Sequence, residues 1–245
     1  GLIFSIMSVG GIALWYNSQV DPWRDDILAL ANYEPEFRTA RIYDANNELI
    51  IELNSLEGGA RTPVSLSEIS PYMVHATVSL ENPRFYDDPG FDPLAIARAF
   101  VQNFTAGTVE SGASTITQQI ARNLVLRDSE ISASRKINEI LVAMEIARQY
   151  SKNDILQLYL NEIFFGNQSY GIEAASQFYF NKSAAELNMA EAAMLAGLPN
   201  APAANDPVVN RDQAQFMTRN VIRRMNEVGC VQFQHADWQQ QGPFC

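Results

Sequence analysis

The sequence predicts a mainly helical protein with one small β-hairpin near its start. Three observations carry this. After Pro63 apolar residues recur at helical spacing through most of the chain. Helix-start signatures, a Ser or Thr followed three residues later by an acid or amide, stand at Thr115, Ser151 and Ser183. The alternation of strand and helix that builds a parallel sheet is absent.

The elements follow in order. Residues 1–20 carry no charge, and 20 helical residues reach about 30 Å, the thickness of a hydrocarbon core. Trp15 and Tyr16 stand where an interfacial aromatic pair would, and the flank Asp21, Arg24, Asp25, Asp26 is mostly acidic, as suits the outer side of a membrane. A transmembrane anchor over 1–20 is expected; a cleaved signal peptide is the alternative. The missing Met suggests a start lying upstream. A connector over 21–36 leads to a hairpin region, 37–62. There Thr39–Tyr43 and Glu48–Leu53 flank the turn residues Asp44-Ala45-Asn46-Asn47.

Residues 63–229 read as one domain. Asp92-Pro93 is a helix start, and Leu94 to Phe104 continues it. Thr115 and Gln118 form a capping box before Ile116, Ile120 and Leu124. Ile137, Ile140, Leu141 and Met144 make one stripe of a helix over about 131–150. Ser151 with Asp154 opens the next helix, and Ser183 with Glu186 opens one that ends before Pro199. Phe216, Val221, Ile222 and Met225 belong to a last helix stopped by Gly229. Residues 230–245 read as a truncated tail. Cys230 and Cys245 would meet an oxidising compartment beyond a membrane, as a pair or as two separate thiols.

Composition narrows the function. The 245 residues hold 17 Lys and Arg against 28 Asp and Glu, a net charge of −11, with 47% apolar residues. That apolar share excludes a disordered chain. Two Cys exclude a disulfide scaffold. The acidic balance excludes a nucleic-acid partner, whose phosphates it repels.

Four segments place polar groups where a plain helix has no need of them. Glu81 follows Val78-Ser79-Leu80 and precedes a turn. A carboxylate there is either a solvated helix end or, partly desolvated, a general base. Gly112 to Gln119 (GASTITQQ) enters a capped helix, yet a cap does not need Ser114, Thr117 and Gln119 as well; hydroxyls and amides at a helix start suit anions or sugars. Arg135-Lys136-Ile137-Asn138-Glu139 is either an i,i+4 surface pair or a phosphate clamp with a carboxylate beside it. Tyr159-Leu160-Asn161, Phe165-Gly166-Asn167 and Tyr170-Gly171 suggest a tight turn on the core, with Asn161 as a C-cap.

Together, in this order, these segments resemble glycosyltransferase family 51, the peptidoglycan glycosyltransferase domain of class A penicillin-binding proteins. The family's E-D-x-x-F-x-x-H-x-G is here Glu81-Asn82-Pro83-Arg84-Phe85-Tyr86-Asp87-Asp88-Pro89-Gly90, its second motif is GASTITQQ, and its R-K-x-x-E is Arg135 to Glu139. Tyr159-Leu160-Asn161, Phe165 to Gly171 and Leu198-Pro199-Asn200-Ala201-Pro202 also look like the family. The resemblance runs over about 41–229. This chain departs at Asn82, where the family has Asp, at Asp88, where His is common, and at Met217 and Thr218, where the family has paired Arg.

The resemblance implies a lysozyme-like fold and polymerisation of lipid II into β-1,4 glycan strands, with inversion, outside the bacterial cell membrane. It implies catalytic roles for Glu81, as general base, and Glu139. Substrate contacts fall to Asn82, Phe85, Ser114, Thr115, Gln118, Gln119, Arg122, Arg135, Lys136 and Asn161. A divalent cation, Mg²⁺ or Mn²⁺, held at Glu139 would help neutralise the leaving pyrophosphate. No organic cofactor is implied. The partners are lipid II, the growing glycan and membrane lipids, with a transpeptidase domain downstream or other cell-wall synthesis proteins. No S-x-x-K is present, since none of Lys136, Lys152 or Lys182 has Ser three positions earlier. The stretch Phe91 to Phe104 is expected to face the membrane or to pack in the core. Two other readings use the same residues: a lysozyme-like glycan hydrolase, and an inactive glycan-binding scaffold with Asn82 and Asp88 as marks of decay.

Overall fold

A computed structural model describes residues 11, 14–55, 58–94, 96, 114–127 and 132–229. Most of the predicted helix 94–104, the membrane-facing stretch, both Cys and the tail lie outside these residues. So do residues 1–10 and 12–13 of the predicted anchor. Among the described residues no helix is long and apolar enough to cross a membrane.

The chain divides into two units, one of residues 1–34 and 84–155, the other of residues 35–83 and 156–245. In the first, residues 14–20 are helical. The predicted connector is itself largely helical: a 3₁₀ turn, Asp21–Trp23, runs into α1, Arg24–Ala29, and a second 3₁₀ turn, Leu30–Asn32. Thr115 caps the short α3, Ile116–Ile120, through the reciprocal bonds its sequence promises. The helix then widens into a π turn over Ala121–Leu126, closed by the Arg127 N–H to the Arg122 carbonyl at 3.0 Å. The helix α4, Ala133–Gln149, is capped by Ser132.

Here the predicted stripe fails at one end. Leu141 is buried, but Ile137 is 52% exposed and Glu139 is fully buried. A carboxylate takes the inward position because two cations on its own helix pair with it. Further along α4, the buried Glu145 gathers Arg148, the Gln149 amide and, at 3.0 Å, the Tyr16 hydroxyl. These hold its pKa down at about 2, the Arg148 bond being the largest cause.

In the second unit the hairpin forms as read. β1, Ala40–Tyr43, pairs antiparallel with β2, Leu49–Leu53, and Ile42 faces Ile51. Asp44 Oδ1 closes the turn by accepting from the N–H groups of Asn46 and Glu48 at 2.9 and 2.7 Å. The short β3, Ala60–Arg61, pairs parallel with β4, Ser169–Tyr170, a strand the sequence read as turn. Arg61, nearly buried, bridges Glu162 at 2.5 Å and stacks on Phe37 and Tyr170.

Three helices make the core of this unit. α2, Pro71–Glu81, packs on α7, Met189–Ala196, and on α8, Arg211–Val228. Val74, Val78, Leu195 and Val221 are fully buried among them. His75 on α2 also meets the Gly229 carbonyl through Nε2 at 3.0 Å, and burial pushes its pKa down. In chain order between α2 and α7 also come α5, Lys152–Glu162, which begins in the first unit and is opened by the predicted Ser151–Asp154 pair, and α6, Ile172–Phe180. The predicted helix from Ser183 to Pro199 is in fact two pieces. The Ser183–Glu186 box makes only a 3₁₀ turn, Ala184–Glu186, because Leu187 turns extended. A second box, Asn188 with Glu191, then starts α7.

Candidate active site

The first unit assembles most of the polar residues singled out above. Arg135 and Lys136 lie in the first turn of α4, where the helix dipole disfavours cations. Glu139, one turn on and fully buried, offsets that cost: Arg135 Nη1 donates to it at 3.1 Å and the Lys136 ammonium donates to its other oxygen. Lys136 also donates to the Ser114 hydroxyl at 2.7 Å, which ties the loop before α3 to α4. The result is a cluster of two cations and one carboxylate, with Ser114 at its side.

Thr115 and Gln118 are buried and cap one another: the Thr115 N–H donates to Gln118 Oε1 at 2.9 Å, and Thr115 Oγ1 accepts from the Gln118 N–H. Among the described residues, Gln118 Nε2 and Arg135 Nε have no hydrogen-bond partner although both are buried. A buried donor without an acceptor costs on the order of 1–3 kcal/mol. Gln119 is half-buried. Arg122 lies in the π turn, a feature common at functional sites, with its Nε on Asn123 at 3.2 Å.

Phe85 does not stand ready for a sugar. It is fully buried, set edge-on to Tyr86, and the Lys152 ammonium lies 4.7 Å from its ring centre.

Glu81, Asn82 and Asn161 belong to the other unit. Glu81 is the last residue of α2, and Asn200 Nδ2 donates to its Oε1 at 2.9 Å. Asn82 caps that helix and is buried. Asn161 uses its amide to clamp Val64: Oδ1 accepts from the Val64 N–H at 2.9 Å, and Nδ2 donates to the Val64 carbonyl at 2.8 Å. In sequence, the signal of Asn200 is the family-like stretch Leu198 to Pro202.

A divalent ion finds a poor donor set here. Glu139 is already matched by two cations, and among the described residues no three His, Cys, Asp or Glu side chains gather. Mg²⁺ and Mn²⁺ take several oxygen ligands, so no catalytic step is routed through a metal at Glu139.

A family model described as Transglycosylase matches residues 46–226. Penicillin-binding protein 1A of Neisseria meningitidis is 40% identical over 240 residues, covering 97% of this chain and 29% of that protein. The protein of the same name from Pseudomonas aeruginosa is 37% identical over 226 residues, covering 92% of this chain and 26% of that protein. The crystal structure of penicillin-binding protein 1A from Haemophilus influenzae aligns with 76% of this chain and 18% of its own, at 24% identity and a TM-score of 0.38. This chain therefore spans under a third of the length of the curated relatives it matches. It belongs to the transglycosylase family, glycosyltransferase family 51, and carries that family's peptidoglycan glycosyltransferase domain.

Proposed function

We propose that this chain polymerises lipid II into glycan strands with inversion, and that Glu81 is the general base. The observation that carries this reading is the Ser114–Lys136–Glu139–Arg135 cluster, whose two cations suit a pyrophosphate. The Glu81 carboxylate takes the proton of the acceptor's 4-hydroxyl as that oxygen attacks the donor's anomeric carbon. The bond from that carbon to the lipid pyrophosphate breaks, and its electron pair leaves with the pyrophosphate. Lys136 and Arg135 meet the charge that develops there. Asn200 holds one oxygen of Glu81 and so fixes the direction of the carboxylate. Ser114 orients Lys136, and the buried Gln118 holds the start of α3 through its bonds with Thr115.

The uncharged run 1–20 supports a single-pass anchor, with the domain outside the bacterial membrane in the plane of its lipid-linked substrate. The net charge of −11 opposes an anionic substrate only at a distance, since screening at physiological salt confines it to about 8 Å.

The test is polymerisation of lipid II in detergent with Mg²⁺, comparing wild type with Glu81→Gln. Glycan strands from wild type alone support the reading. Strands from both at equal rate overturn Glu81 as base. Binding of lipid II without product from either chain favours the scaffold, and shortening of preformed glycan the hydrolase.

A further inference from the structure

Lys152 lies outside every motif used above, yet its ammonium is nearly enclosed. It donates to the Asp88 carbonyl at 2.7 Å and to Asp88 Oδ1 at 2.9 Å, and it sits over the Phe85 ring. Its side chain is 15% exposed and that of Asp88 4%. All three contacts are on the loop that follows Glu81 in sequence. The same Asp88 Oδ1 accepts from the Gly90 N–H at 2.8 Å. Gly90, with φ of +101°, lies so close to α4 that a Cβ would overlap the Ala143 carbonyl. The Gly90 carbonyl in turn accepts from Thr115 Oγ1 at 2.7 Å. Thr115 caps α3, and its neighbour Ser114 receives Lys136.

A continuous line of bonds thus runs from Lys152 through Asp88, Gly90 and Thr115 to the edge of the Lys136 cluster. Every member is in one unit. The negative charge of Asp88 matches an enclosed ammonium. Breaking one partner of such a pair leaves an uncompensated charge, so the loop has one favoured arrangement.

We propose that Lys152 and Asp88 are a positioning pair that sets the place of Ser114 and Thr115 at the pyrophosphate-binding cluster. This rests on the function proposed above. Neither residue touches substrate. They act through the Gly90 carbonyl, and a misplacement of about 1 Å at a reacting group can cost a hundredfold in rate.

The experiment is a double-mutant cycle on lipid II polymerisation by the anchored chain, with Lys152→Met, Asp88→Ala and the double variant, and with Lys152→Arg as the conservative control. Each single change is expected to lower kcat about 10- to 100-fold with KM moved less than about threefold. The double is expected to lose no more than the worse single, because both remove one device. Lys152→Arg is expected to keep at least about half of the wild-type kcat. In parallel, amide hydrogen exchange over residues 114–119 is expected to speed up in Lys152→Met while residues 189–196 keep their protection. Unchanged kcat, losses that multiply, or unchanged exchange at 114–119 overturns the pair's role. If Lys152→Met does not fold, Asp88→Asn carries the comparison. Should wild type itself fail to polymerise, the functional reading falls, and the exchange arm alone upholds or overturns the ordering of Ser114 and Thr115 by Lys152.

Discussion

Asn200 Nδ2 donates a hydrogen bond to Glu81 Oε1 at 2.9 Å, joining the end of α2 to the turn after α7 across 119 residues of sequence. A donor on a carboxylate oxygen fixes that carboxylate's direction. Asn200→Ala should therefore lower kcat about tenfold. Rates of lipid II polymerisation at saturating substrate check this. A rate equal to wild type would remove Asn200 from the site.

Glu139 holds two cations from a fully buried position. Glu139→Gln keeps the shape and removes the charge, which leaves Arg135 and Lys136 to repel one another. The expected loss is about 3–5 kcal/mol of stability, with polymerisation reduced at least a hundredfold. Lys136→Met should lower activity as much but cost less stability, because its side chain is 38% exposed. Urea unfolding beside the activity assay separates the two.

Gly90→Ala should destabilise the first unit by about 2–4 kcal/mol, since a Cβ meets the Ala143 carbonyl in a backbone region that L side chains avoid. Gly197→Ala is the control. Its backbone is right-handed helical and its nearest neighbours lie at 3.4 Å, so a change under about 1 kcal/mol is expected. Denaturant midpoints measure both.

Acid should loosen the contact between α4 and the N-terminal helical residues through Glu145. Its folded pKa, about 2, is below the ordinary carboxylate value of 4.5. A depressed carboxylate adds stability that is complete above about pH 4.5 and is lost as pH falls toward 2. Arg148 is 65% exposed, so solvent screening reduces the effect to the order of 2 kcal/mol. Wild type should lose more Tm than Glu145→Gln between pH 7 and pH 3. Equal losses would place the acid sensitivity elsewhere.

Local chemistry was legible wherever a few neighbouring residues settle the backbone. Asp44 to Asn47 encoded the hairpin turn, and the Thr115, Ser151 and Ser183 boxes each formed. The length of an element was less legible. Ser183 starts a turn that Leu187 ends, and only the Asn188 box restarts the helix. Periodicity also placed Ile137 inward and said nothing of Glu139, because a hydropathy stripe counts a carboxylate as outward whatever pairs with it.

Motif order alone was enough to assign the chain to its family, since those residue types at that spacing are specific. It said nothing of what each side chain packs on: Phe85 is core beneath Lys152, and Asn161 clamps Val64. Asn200 and Lys152 meet their partners only through folding, because those partners lie 119 and 64 residues away. Spacing along a chain governs backbone hydrogen bonds a few residues apart. Which buried charge finds its counter-charge is decided by three-dimensional packing, where an unmatched ion is too costly to keep.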